Sequence, residues 1–215
     1  MHPYSHAQSS VSHFGGALEL YLPLHQDFDA TKAAYGDWRH RALRHHTDAF
    51  DDLISRSAPH LDPELARRVC EQHLREDLGI LASLQDWRAP LLSAPWMEVK
   101  HDSEARAARG AIRFGGNLED TLALHEWFDS NCKEDPLFGF YRHHAWGLFE
   151  AEAKFGVNLR LGDKLIPTRV ILEAHLREEF RRLPSAQDWL RNIKTEPWMH
   201  TALERNPFPS PEVSE

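Results

Sequence analysis

The chain has 215 residues, 41% hydrophobic and 27% charged, with a formal net charge of -8, a globular composition sized for one or two domains. The acidic balance disfavours non-specific nucleic-acid binding, and no apolar run approaches the roughly 20 residues a membrane span needs. Cys70 and Cys132 lie in unrelated contexts and read as reduced thiols of a cytoplasmic protein, which leaves fifteen histidines as the compositional excess.

In chain order, the start "MHPYSHAQSS" lacks the charged-then-apolar order of a signal peptide. A turn at Phe14-Gly15-Gly16 precedes a first helix, with Pro23 expected in its opening turn. This helix sets His25 among Tyr21, Leu22, Leu24 and Phe28, with Asp29 one turn on. A second helix is expected to carry "WRHRALRHH", Trp38 to His46, three arginines and three histidines in nine residues. At 100° per residue its apolar face is Ala42, Leu43, Ala49, Phe50 and Leu53. His46 falls inside that arc and His45 at its edge, while Arg41 and Arg44 point to solvent with His40 near them. A third helix begins near Pro63 and Glu64, and the centre of its apolar face holds His73 and Asp77. Glu71 and Arg75 lie outside that face, and Glu76 at its margin. Ser83, with Asp86 three residues on, caps a short helix. Trp87 in "QDW" and Trp96 in "PWM" are expected to close the core.

The chain then repeats itself. "FGGALELYLPLHQDFDATK" is answered by "FGGNLEDTLALHEWFDSNCK", "RHHTDAF" by "RHHAWGL", "HLREDL" by "HLREEF", and "QDW" and "PWM" each recur. The offset drifts from 100 (Phe14 to Phe114) to 98 (Arg44 to Arg142) to 102 (Pro95 to Pro197) while the order is kept, which marks a tandem duplication. Strand signals are confined to a short pair around Gly156 to Ile166. The expected fold is all-α: two homologous helical units of about 95 residues with pseudo-twofold packing, a monomer acting as a pseudo-dimer. The boundaries are 1–97 for the first repeat, 98–110 for a polar linker or solvated helix, 111–204 for the second repeat, and 205–215 for a Pro- and Ser-rich tail.

Each repeat turns a histidine inward from three helices and adds a carboxylate: His25, His46, His73 and Asp77 in the first, His125, His144, His175 and Glu179 in the second. Burying one unpaired polar group costs about 1–3 kcal/mol, whereas one divalent cation satisfies all four. Imidazoles with a carboxylate suit Zn, Fe or Mn rather than Mg or Ca. Histidine-acid pairing within one helix is the structural alternative. Only the first repeat also carries His2, His6, His13 and His40, so chemistry is expected there, with His40, His45 and Glu76 as catalytic candidates and His40 and His6 as the nearest proton-transfer groups.

The string FGG, LHEWFD, RHRALRHH, EQHLREDLG, DW and PWM resembles an uncharacterised family of bacterial and phage domains of unknown function, usually present as one copy. The resemblance covers both repeats, departs at Phe138 where the second repeat lacks the RHR histidine, and implies no reaction. Two functions follow from the residues: a metal-dependent hydrolase acting on a small-molecule or phosphoester substrate through a metal-bound water, or a non-catalytic helical binding protein of phage or mobile-element type with a structural polar core.

Overall fold

The computed structural model describes residues 2–100 and 102–200; the expected tail lies outside the described residues. The fold is all-α. The first repeat contains α1 (Pro3–Phe14), α2 (Leu18–Asp29), α3 (Phe50–Ser57), α4 (Pro63–Leu78) and α5 (Leu84–Arg88). The second contains α6 (Ser103–Phe114), α7 (Glu119–Asp129), α8 (Gly139–Arg142), α9 (Ala145–Phe155), the antiparallel strands β1 (Asn158–Leu161) and β2 (Lys164–Pro167), then α10 (Thr168–Phe180) and α11 (Ala186–Leu190). No helix among the described residues is long and apolar enough to cross a membrane.

Local chemistry explains the boundaries. Asp62 accepts from the Leu65 amide at 3.0 Å and Pro63 opens α4, while Gly79 ends it at φ +77°, a left-handed position that favours glycine. Ser83 with Asp86, and Ser185 with Asp188, form complete capping boxes on α5 and α11. Pro23 stands inside α2 rather than in its first turn. One helix was not expected, and a second, allowed for as a solvated helix, is instead partly buried. The polar start forms α1, which buries His6, Ala7 and Ser10, and residues 98–110 hold most of α6, which buries Ser103, Arg106, Ala107 and Gly110.

The expected second helix is absent as such. Trp38–Leu43 is a 3-10 segment, the chain breaks at Arg44 (φ -146°, ψ -20°), and α-helix resumes only at Phe50. Backbone groups are diverted at the break: the His45 carbonyl accepts from Trp87 Nε1 at 2.9 Å, and the Thr47 amide donates to the Ala82 carbonyl at 2.9 Å. Arg41 and Arg44, expected to be solvated, are 2% and 7% exposed. Arg44 pairs with Asp27 at 2.5 Å, and Arg41 Nη1 donates to the Met199 carbonyl at 3.2 Å.

The described residues fold as two compact units, one formed by residues 2–90 together with residues 194–200, the other by the described residues of Leu91–Ile193. Each has its own apolar core. The first is built around Leu24, Phe28, Phe50, Leu53, Val69 and Leu74, the second around Leu124, Phe128, Leu148, Ile171, Leu172 and Leu176. Repeat and unit are not the same set of residues. In the first unit Trp198 meets Trp87 edge-on at 4.8 Å between ring centroids, and in the second Trp96 meets Trp189 at 4.9 Å. Each core is therefore closed by the PWM turn written in the other repeat.

Candidate metal centre

In the first unit α2 presents His25 and Asp29 one turn apart, and α4 presents His73 and Asp77 in the same spacing. His45 comes from the break after the 3-10 segment, its carbonyl pinned by Trp87. Ligand atoms of Asp29, His45, His73 and Asp77 lie within 4.8 Å of one another. His45 Nε2 is 3.1 Å from His73 Nε2, 3.3 Å from Asp77 Oδ2 and 3.8 Å from Asp29 Oδ1, and His73 Nε2 is 3.7 Å from Asp77 Oδ2. His45, His73 and Asp77 have no solvent exposure, and Asp29 has 6%.

The outer atoms of three ligands are held by partners, as metal ligands usually are. Asp29 Oδ2 pairs with Lys32 at 2.8 Å, Asp77 Oδ1 accepts from His6 Nε2 at 3.1 Å, and His73 Nδ1 lies 2.8 Å from His25 Nδ1. His45 Nδ1 has no hydrogen-bond partner. Arg41 Nε stands 3.6 Å from Asp77 Oδ2.

Hydrogen-bond valence fixes the tautomer of His73. Gln72 Nε2 donates to the Glu76 carboxylate at 2.7 Å, so Gln72 Oε1 accepts from Ser10 Oγ at 2.9 Å. Ser10 has spent its only hydrogen, so His25 Nε2 donates to it at 2.9 Å. His25 Nδ1 is then a lone pair, His73 Nδ1 carries the hydrogen, and His73 Nε2 presents a lone pair to the cluster, the form that binds a metal. His6 faces two carboxylates, Glu76 Oε2 at 2.5 Å and Asp77 Oδ1 at 3.1 Å. Burial would lower the His6 pKa, but these two bonds outweigh it and raise it. His73 is lowered well below the usual histidine range, by burial first and then by repulsion from His6 and His45. Burial would raise the Asp77 carboxyl, but hydrogen bonds from His45 and His6 hold it far below the carboxylate range. A neutral imidazole and an ionised carboxylate are thus already in ligand form.

The second unit groups Asp129, His143 and His175. Asp129 Oδ1 is 2.9 Å from His143 Nε2 and 3.4 Å from His175 Nε2, and Asp129 Oδ2 accepts from Ser103 Oγ at 2.8 Å. His125 Nδ1 lies 3.1 Å from His175 Nδ1, as in the first unit. Glu179 stands 3.5 Å from His175 Nε2 but pairs with Arg106 Nη2 at 3.1 Å. Arg106 occupies the position of His6, so a cation replaces the bridging imidazole.

Of the eight ligands read from the sequence, the structure groups His73, Asp77 and His175. His25 and His125 stand behind the ligand histidines and orient them. His46 and His144 are buried but face elsewhere, because the break at Arg44 and its twin after α8 turn His45 and His143 inward instead. His46 Nδ1 is 3.8 Å from Asp48, and His144 caps α9, accepting from the Gly147 amide at 3.2 Å and donating to the Phe140 carbonyl at 3.0 Å. Glu179 is drawn to Arg106. Among the catalytic candidates, His45 is a cluster member, Glu76 anchors the hydrogen-bond chain, and His40 binds the Asp37 carbonyl at 3.0 Å with its ring 5.8 Å from that of His45. Asp29 and Asp129, one turn after His25 and His125, join the two clusters, where the sequence reading takes Asp77 and Glu179 as the carboxylate ligands. His6, Ser10 and Gln72 carried no periodic signal.

No curated protein and no solved structure matches the chain significantly. A family model does, twice, over residues 1–97 and 101–199. The chain belongs to the family described as Domain of unknown function (DUF6915), present here as a tandem duplication.

Proposed function

We propose that the protein binds a divalent transition metal, with the principal centre in the first unit formed by Asp29, His45, His73 and Asp77. The observation that carries this reading is the convergence of two imidazoles and two carboxylates within 4.8 Å in a site shut off from solvent. The oxygens Asp29 Oδ1 and Asp77 Oδ2 face this enclosed space together with the two imidazoles, and a cation satisfies all four groups at once. Two nitrogen and two oxygen ligands suit Zn in a tetrahedral shell, with Fe and Mn as the alternatives.

A phosphoester hydrolase is the finer reading. A catalytic metal needs a position left for water, and closed four-ligand shells are structural. The three-ligand group Asp129, His143 and His175 leaves such a position, so hydrolysis is better placed in the second unit than in the His-rich first repeat. The first unit is then a metal centre that fixes α2, α4 and the segment around His45.

The test is a zinc titration of chelator-stripped full-length protein against a chromophoric competitor, with cobalt absorption reporting the geometry. One tight equivalent lost in both His73→Ala and Asp77→Asn is expected, with a second, separate equivalent lost in His175→Ala. Equal binding by wild type and both variants overturns the assignment, and turnover of a nitrophenyl phosphoester lost with His175→Ala supports the hydrolytic reading.

A further inference from the structure

The two units differ at one small residue behind the second histidine cluster. In the first, Ser10 fills the space beside His25 and bonds its Nε2. In the second, the same place is Gly110, and a cavity of about 40 Å3 remains, where a single water needs roughly 10–15 Å3. His125 lines it, is 2% exposed, and its Nε2 has no hydrogen-bond partner. Arg106, Arg109 and Arg113 complete the wall, at positions where the first repeat has His6, Ser9 and His13. The buried Nε of Arg106 is also without a partner. One lining carboxylate, Glu178, is taken by Arg109 Nε at 2.7 Å, and Glu179 by Arg106.

We propose that this cavity is an oxyanion site, taking a phosphate group as the free ion or as the end of a phosphomonoester. Guanidiniums match phosphate oxygens in geometry and charge. Hydrogen phosphate offers both acceptor oxygens and a hydroxyl, so it satisfies the orphaned imidazole nitrogen of His125 in either tautomer. The first unit makes no such site, because its serine hydroxyl supplies internally what the second unit leaves to a ligand. The cavity adjoins the second cluster, since His175 lines it beside His125, so binding is tested in chelator, where it does not depend on a metal.

The experiment titrates full-length protein with inorganic phosphate, and separately with adenosine monophosphate, by calorimetry at low ionic strength. Saturable binding in the millimolar range or tighter is expected. Gly110→Ser should weaken it at least tenfold by restoring the plug. A Cβ at that position meets only Thr121 Oγ1 at 3.6 Å and His125 Nε2 at 3.9 Å, so the substitution fits. Arg113→Ala, at an exposed position, should weaken binding without touching the core. Phosphate binding as tightly as the nucleotide assigns the site to the free ion, and tighter nucleotide binding assigns it to a phosphomonoester. Binding of neither, or binding unchanged in both variants, overturns the proposal.

Discussion

Acid should unfold this protein at a pH set by its buried histidines. Burial holds His25 and His144 down to about 3, His40 to about 2 and His125 to about 4, from an ordinary 6.5. A histidine whose folded pKa lies below its unfolded value takes its proton only in the unfolded chain. Its stabilising effect is therefore complete above 6.5 and lost as pH falls toward the folded value. One pH unit below 6.5 costs about 1.4 kcal/mol per group, so by pH 5 each of these four withdraws about 2 kcal/mol, or about 4 kcal/mol from each unit, His25 and His40 acting in the first and His125 and His144 in the second. That is a large part of the stability of a domain, about 5–15 kcal/mol. His45, His73 and His175 shift in the same direction. His6 acts oppositely: its pKa is raised, so its contribution is present below 6.5 and fades as pH rises through the folded value. Urea unfolding followed by circular dichroism, in chelator, between about pH 7.5 and pH 5 measures the difference. A free energy that stays within about 1 kcal/mol over that range would refute the argument that these imidazoles are buried neutral.

Met199→Ala should destabilise the first unit by about 2–5 kcal/mol although it lies in the second repeat, since Met199 is fully buried there. Hydrogen exchange should show α5 losing protection before α11, and the reverse order would contradict the exchanged PWM turns. Gly147→Ala should cost about 3 kcal/mol or more, because a Cβ there would stand 1.9 Å from the Arg142 carbonyl oxygen; a melting temperature equal to wild type would show the backbone gives way. His6→Gln removes no ligand of the proposed metal but frees Asp77 Oδ1, so zinc affinity should drop about 10–100-fold. An unchanged competition titration would remove His6 from that role.

Sequence alone determined the duplication, the all-α class, the cap at Ser83, and the inward facing of His73, Asp77 and His175. These depend on local rules: identity in order, side-chain spacing along one continuous helix, and hydrogen bonds within four residues. Tertiary structure decided what those rules do not reach. The exchange of His46 for His45 follows from a chain break stabilised by Trp87 and Ala82, about 40 residues away in sequence. The burial of Arg41 and Arg44 follows from partners at Met199 and Asp27, which periodicity does not contain. The pairing of each core with a PWM turn was invisible for a simpler reason: two nearly identical motifs fit two nearly identical cores, and only the path of the backbone selects between them.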